Sequence, residues 1–188
     1  MKKKILIIAA HPDDDILGCG GFISKFKKET IKVVFLAEGT SCRYDNLKKN
    51  IQAINKEIKR REAMSLRALR FLKVKKFSYH YNPCGRLDTV PIINLNKIIE
   101  KEVFNFRPDI ILTHSENDCN NDHRIIFRSV MMATRPNLKY TVPVIMSFEV
   151  LSSSEWNFTK YFDPNYFVKL ELKNIKEKWR ALKFFTSE

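Results

Sequence analysis

The sequence predicts an α/β fold, a mainly parallel sheet between two layers of helices in the three-layer α/β/α arrangement of Rossmann-like proteins. Three observations lead there. Short apolar runs rich in β-branched residues alternate with longer amphipathic stretches, the signature of parallel strands joined by helical crossovers. The length of 188 residues suffices for one core of good size, so residues 1–188 are read as a single domain. The densest polar cluster, His11-Pro12-Asp13-Asp14-Asp15, directly follows the first apolar run, at the sheet edge where open α/β sheets bind ligands.

Residues 4–10 form the first strand, with Ile5-Leu6-Ile7-Ile8-Ala9-Ala10 wholly apolar. Gly18-Cys19-Gly20-Gly21 reads as the turn into a first helix over residues 20–28. Ile31-Lys32-Val33-Val34-Phe35-Leu36 is a second strand, and Glu38-Gly39-Thr40-Ser41 a loop on the same sheet edge as His11. A long helix covers residues 47–72. There Ile51, Ile54, Ile58, Met64, Leu66 and Leu69 recur at helical spacing, and the polar face is rich in Lys and Arg. Residues 75–81 form a third strand and Asn82-Pro83-Cys84-Gly85 a turn. Pro91 suits a first helical position, and Ile92, Leu95, Ile98, Ile99 and Val103 carry that helix towards Arg107-Pro108-Asp109. Ile110-Ile111-Leu112-Thr113 is a fourth strand with His114 at its end, followed by a loop rich in Asn and Asp. The next helix starts near His123 and runs through Met132, with Asp122 as its N-cap. Residues 142–146 and 148–151 read as further strand and Ser152-Ser153-Ser154 as a break. Residues 167–172 read as a last strand and 175–185 as a last helix.

A formal charge of +13 beside 44% apolar residues describes a strongly basic globular chain. Nucleic acid, an anionic membrane surface or an anionic substrate such as a phosphate-bearing sugar would each suit that charge, as would a lysine-rich solvated surface. The lysines are scattered, with neither zinc-finger spacing nor an aromatic-and-basic RNA-recognition box, so nucleic acid is not expected as a partner. Met1-Lys2-Lys3-Lys4 looks like a signal-peptide start, but the apolar run behind it is six residues long and ends at His11. No stretch approaches the roughly 18 apolar residues of a spanning helix. A cytoplasmic chain is expected, with peripheral membrane contact left open. Cys19, Cys42, Cys84 and Cys119 are far apart and form no CxxC pair, so they are expected as free thiols.

The sharpest inference joins distant strand ends. If the first and fourth strands are close, His11, Asp14 and His123 converge. Two imidazoles, one carboxylate and an open fourth position make a catalytic zinc set. Asp13 would then be free to act on metal-bound water, and Pro12 stiffens the turn by fixing its own φ. The competing reading is a plain helix N-terminus capped by the three Asp residues, with His123 on the surface. Gly18-Cys19-Gly20-Gly21 lacks the full GxGxxG spacing of a dinucleotide loop. His80 reads as a strand-end residue. Trp156, Phe158, Tyr161, Phe162, Tyr166 and Phe167 read as core or interface before sugar pocket. Arg43, Arg86 and Arg124 are candidates to hold a phosphate, and Arg61 is as well placed to pair with an acidic neighbour.

His11-Pro12-Asp13-Asp14 with Leu17-Gly18-Cys19-Gly20-Gly21, together with Asp118-Cys119-Asn120-Asn121-Asp122-His123-Arg124, resembles the LmbE-like, or PIG-L-type, deacetylases. The likeness extends over most of the chain, through Arg61-Glu62-Ala63, Gly85-Arg86-Leu87-Asp88, Arg107-Pro108-Asp109, Ala133-Thr134-Arg135-Pro136 and Ser147-Phe148-Glu149-Val150. The resemblance implies a metal-dependent N-deacetylase whose substrate is an N-acetylated amino sugar such as N-acetylglucosamine, linked to a nucleotide, lipid or glycan. It implies His11, Asp14 and His123 as ligands of Zn2+, or of another divalent metal such as Fe2+, and Asp13 as general base towards a zinc-activated water. Three departures stand out. Asp15 occupies a position usually held by Glu and is expected to play a supporting role. Asn120 stands where many members have a His; it can donate a hydrogen bond to an oxyanion but cannot titrate, and it is the second catalytic candidate. The chain stops at Thr186-Ser187-Glu188, earlier than members of the family, so either the sequence is cut short or the pocket is expected to be open or completed by another subunit of a homo-oligomer. Arg86, Asp118, Arg124 and His114 are the candidates for substrate contact. Asp118 is equally suited to orienting a ligand histidine, and His114 to standing in for the missing His or backing the ligands. Two alternatives remain: an amidase acting on a non-sugar substrate, and a sugar-binding or scaffold homologue without catalysis.

Overall fold

The first apolar run becomes the centre of the sheet. In the computed structural model, which describes residues 2–136, 140–151 and 153–186, β1 (Lys4–Ala9) pairs in parallel with β2 (Thr30–Ala37) on one side and β4 (Ile110–Thr113) on the other. β3 (Lys76–Asn82) and β5 (Val144–Ser147) complete an all-parallel sheet in the order β3-β2-β1-β4-β5. Successive β1 side chains point to opposite faces. Ile5, Ile7 and Ala9 join a core with Ile16, Ile23, Met64, Leu69 and Ala181. Leu6, Ile8 and Ala10 join a second core with Leu95, Ile99, Val103, Ile126 and Val130. The first core lies under α1 (Asp14–Lys25), α2 (Ile51–Phe71) and α5 (Leu172–Leu182). The second lies under α3 (Ile92–Phe106) and α4 (Asn121–Ala133). Burial on both faces explains why this strand shows no polar alternation.

The strand order reverses between β1 and β4. Connections leave β1 towards β2 and leave β4 towards β5, so the loops at their carboxyl ends part and open a crevice there. His11 and His114 stand at its two sides. The Rossmann-like three-layer expectation is borne out, and with it the proximity of the first and fourth strands.

Several boundaries differ from the sequence reading, each for a tertiary reason. Helix α1 begins at Asp14, and Gly18, Gly20 and Gly21 lie inside it instead of forming a turn before it. Their role is close approach. A Cβ on Gly18 would run into the Phe148 ring and stand 3.0 Å from the Glu149 carbonyl, and one on Gly21 would run into Leu170. Helix α2 starts at Ile51, not at residue 47. Asn46 Oδ1 accepts from Lys49 N at 2.9 Å and Asn50 Nδ2 donates to Asn46 O at 2.8 Å, a local turn that competes with the helix. The N-cap of α4 is Asn120, whose Oδ1 accepts from Asp122 N at 2.9 Å, so Asp122 is not the cap.

Residues 148–151 are not a strand. Phe148 N still donates to Thr113 O at 2.8 Å, and the chain then folds over Val150, whose carbonyl accepts from Ser153 N and Ser154 N. The segment 167–172 crosses α1, where Lys25 Nζ donates to Lys169 O at 2.6 Å, instead of adding a strand. Trp156, Phe158, Tyr161, Tyr166 and Phe167 are exposed and are not core. Met1, Ser152 of the expected break, and Ser187 and Glu188 lie outside the described residues. No described helix is long and apolar enough to cross a membrane.

Gly18→Ala separates two opposing effects. Alanine should gain about 0.8–1.0 kcal/mol of helix propensity, but the added methyl overlaps Phe148, and overpacking of this kind costs about 1–3 kcal/mol. The expected result in urea unfolding is a net loss of about 1 kcal/mol. A stabilised variant would show that the Phe148 contact yields freely.

Candidate metal centre

The turn after β1 is built by the polar cluster itself. Asp14 N donates to His11 O at 3.3 Å, and Ile16 N and Leu17 N both donate to Asp13 O at 2.8 Å. The tight entry into α1 places Asp13 at φ 152°, a strained value for a residue with a Cβ, of a kind that costs about 1–3 kcal/mol. Its Oδ2 meets Arg61 Nη2, from α2, at 2.6 Å. Both residues are buried, so the ion pair ties the strained turn to a second element.

Asp14 Oδ2 is the meeting point of the cluster. It accepts from His11 N at 2.8 Å. His11 Nδ1 stands 3.3 Å away, His123 Nε2 3.2 Å and His114 Nε2 3.5 Å. Further carboxylates stand behind the two outer imidazoles. His11 Nε2 donates to Asp122 Oδ2 at 2.9 Å, and Asp122 also accepts from Gly85 N at 2.6 Å and Leu87 N at 3.1 Å. His123 Nδ1 lies 3.0 Å from Asp118 Oδ2, which accepts from Ser153 Oγ at 3.1 Å and Ser154 Oγ at 3.0 Å. His11 and His123 thus each have one nitrogen on an outer carboxylate and the other turned to Asp14, the arrangement that fixes ring orientation in metal sites.

The charges follow from these contacts. Burial by itself would raise the Asp14 carboxyl, but the imidazoles around it, His123 foremost, hold it well below the ordinary carboxylate range. Burial disfavours the imidazolium of His11, yet its hydrogen bonds to Asp122 and Asp14 prevail and push its pKa up to about 10. His123 follows the same logic and rises to about 9, against burial and through Asp14 and Asp118. Asp15, next in the chain, has the opposite fate. Burial, then the charges of Asp13 and Asp14, raise it well above the usual range, and neither of its carboxyl oxygens has a hydrogen-bond partner among the described residues. His114 is held neutral by burial and by the neighbouring His123. Its Nε2 accepts from Ala10 N at 2.8 Å, and its ring stacks on His123 with centroids 3.8 Å apart.

The donor geometry suits a divalent cation. Ligand atoms bound at about 2.0–2.1 Å in a tetrahedron stand about 3.3–3.4 Å from each other, and His11 Nδ1 and His123 Nε2 stand 3.3 and 3.2 Å from Asp14 Oδ2. His123 Nε2 is buried without a hydrogen-bond partner, as an atom reserved for a cation would be. Two imidazoles and a carboxylate suit Zn2+ and Fe2+ alike. Two overlapping groups also have donors within 4.8 Å of one another, His114–Asp118–His123 and His11–Cys84–Asp122. In the first, His114 Nε2 is engaged by Ala10 N–H, while its Nδ1 is buried without a hydrogen-bond partner among the described residues.

The remaining predicted residues are placed as follows. Asn120 is half-buried at the head of α4, its Oδ1 used in the cap. Arg86 donates to the carbonyls of Ser41, Cys84 and Tyr44. Arg124 donates to the carbonyls of Asp118 and Cys119, both at 2.7 Å. Sequence reasoning missed the contact of Asp122 with His11, for which its place beside His123 was the available signal, and the part of Ser153 and Ser154 in holding Asp118. Nothing in the spacing pointed to the meeting of Cys42 and Cys84, whose sulfurs lie 3.3 Å apart, although both remain free thiols.

Structures of similar fold include a deacetylase of the teicoplanin biosynthesis pathway in complex with bog, with TM-score 0.79, 14% identity, and 98% of this chain and 84% of that one covered. The N,N'-diacetylchitobiose deacetylase of Pyrococcus horikoshii superposes with TM-score 0.69 and 22% identity over 98% and 70%. The 4-carboxy-2-hydroxymuconate hydratase GalB of Pseudomonas putida KT2440 does so with TM-score 0.76 and 18% identity over 100% and 80%. At these identities the likeness concerns the fold. A sequence search of curated proteins finds no match. Residues 6–134, well over half of the chain, match the family described as PIG-L: GlcNAc-PI de-N-acetylase. The chain therefore belongs to the PIG-L family.

Proposed function

We propose that the chain is a metal-dependent hydrolase that removes an N-acetyl group from an amino-sugar-containing substrate. The observation that carries this reading is the convergence of His11 Nδ1 and His123 Nε2 on Asp14 Oδ2, with Asp13 held beside them at the head of α1. A divalent cation on these three groups, Zn2+ or Fe2+, would acidify water and polarise an amide carbonyl.

Asp13 carries the proton. It accepts one from the attacking water and returns it to the amine nitrogen as the amide C–N bond breaks, leaving acetate and a free amino sugar. Arg61, on Asp13 Oδ2, keeps that carboxylate oriented through both transfers. Asn120 cannot supply a proton, so both transfers fall to Asp13. With the Asn120 oxygen in the helix cap, its amide NH2 is the group that donates to the developing oxyanion. Asp122 and Asp118 hold the two ligand imidazoles, and His114 backs His123 by stacking. Arg86 and Arg124 brace the loops around the site through their carbonyl contacts. A hollow of about 340 Å³ lined by Thr40, Arg43, Tyr44, Glu57, Arg61 and Met64 adjoins the Asp13–Arg61 pair.

The fold also carries a hydratase, so acetate release is the decisive readout. A panel of N-acetylglucosamine, N,N'-diacetylchitobiose and N-acetylglucosamine joined to a phosphodiester should yield acetate from at least one member with zinc added. Release from none would overturn the proposal. Elemental analysis of the zinc-loaded protein should find close to one ion per chain, lost in His11→Ala; no bound metal in the wild type would overturn the site. Asp13→Asn should keep its metal while kcat falls about 10²–10⁴-fold, the usual contribution of a general base. Asp122→Asn should weaken metal affinity about 10–100-fold, the usual effect of losing a histidine's outer partner, measured by competition with a chromophoric chelator.

A further inference from the structure

Cys42 and Cys84 are brought together beside the metal centre by two loops that share one anchor. Cys42 lies in the short helical turn Ser41–Arg43 after β2, and Cys84 in the loop after β3. Glu38 accepts from Ser41 N at 3.0 Å and from Cys84 N at 2.9 Å, so its buried carboxylate pins both loops. Cys84 Sγ donates to Cys42 Sγ at 3.3 Å. Gly85, at φ 71°, lacks the Cβ that would stand 2.8 Å from Cys42 Cβ, which lets the second loop lie against the first. The two thiols differ in access: Cys42 is exposed and Cys84 is buried. One sulfur is open to an incoming reagent, and the other is sheltered within reach of it, which is the layout of an attacking and a resolving thiol. The hydrogen bond between them lowers the Cys42 thiol to about 6, in the range of reactive cysteines, and with burial pushes the Cys84 thiol well up, so Cys42 is the one that ionises first.

We propose that Cys42 and Cys84 form a thiol–disulfide site for a low-molecular-mass disulfide, and that its closure loosens the metal centre. The Cys42 thiolate attacks one sulfur of the small disulfide. That S–S bond breaks, the first small thiolate leaves, and Cys42 is held in a mixed disulfide. Cys84 then gives up its proton and attacks the Cys42 sulfur, expelling the second small thiolate. Two protein thiols are oxidised, one small disulfide is reduced to two thiols, and the two protein protons end on those thiols. Closure draws the sulfurs from 3.3 Å to about 2.05 Å. The moving loop is the one whose Gly85 and Leu87 amides hold Asp122, the partner of His11 Nε2. Cys84 Sγ itself lies within 4.8 Å of donor atoms of His11 and Asp122, so the displacement reaches the metal site directly. This coupling rests on the proposed metal site; the disulfide chemistry does not.

The test exposes the zinc-loaded protein to oxidised glutathione and follows intact mass, a non-reducing peptide map and zinc release to a chromophoric chelator. The wild type should lose two hydrogens, link Cys42 to Cys84 reversibly with dithiothreitol, and hold zinc at least about tenfold more weakly when linked. Cys84→Ser should stop at a glutathione adduct on Cys42. Cys42→Ser should form no link and keep its zinc affinity under the oxidant. Exposed Cys119 is the internal control. A Cys119 adduct forming as fast as any reaction at Cys42, without the link, would overturn the site. A link that leaves zinc affinity unchanged would overturn the coupling. The mass readout works whether or not the protein holds metal, so failure here is distinguishable from failure of the proposed hydrolase.

Discussion

A negative charge buried at the rim of the sheet is the constraint on which the site depends. Asp14 is 3% exposed, and a carboxylate out of water is costly unless positive or hydrogen-bonding groups surround it. Its Oδ2 meets that need through the His11 amide and the rings of His11 and His123. The imidazoles need partners in turn. Asp122 and Asp118 supply them, and are themselves satisfied by Gly85 N, Leu87 N, Asn120 N and the hydroxyls of Ser153 and Ser154. The network therefore spreads from one atom through the loops after β1, β3, β4 and β5.

Two features set the chemistry apart from the scaffold. Asp13, Asp14 and Asp15 are consecutive and buried, yet one is ion-paired to Arg61, one is held charged by imidazoles, and one is pushed towards the neutral form. Identical side chains thus divide into different roles through their neighbours alone. The strained φ of Asp13 belongs to the same design. It arises where the chain must turn from a strand into a helix within the ligand cluster, and the Arg61 contact from α2 helps to hold it.

The glycines of α1 show how packing overrode a local signal. Gly18, Gly20 and Gly21 read in sequence as a turn, because glycine weakens helices. In the fold they let Phe148, Lys178 and Leu170 lie against the helix. Phe148 in turn packs on the His114 ring, 4.9 Å between centroids, so the glycine face of α1 and the back of the candidate metal site share a side chain. The same demand for closeness ended β5 at Ser147. The chain that follows is needed at Val150 to present Ser153 and Ser154 to Asp118, and it cannot also continue the ladder.

The sequence by itself determined the class of fold, the central buried strand and the cluster at its end, because local periodicity and composition record which residues are buried and where a turn must fall. It also carried His11, Asp14 and His123 as one candidate set, since two imidazoles and a carboxylate are the donor types of a catalytic zinc site. Tertiary structure alone decided which nitrogen faces which carboxylate. His11 meets Asp122, His123 meets Asp118, Asp13 meets Arg61 and Cys42 meets Cys84 only because the strand order brings β4 beside β1 and the loops after β2 and β3 together. Those pairings depend on crossovers between elements distant in the chain, and no local pattern encodes them.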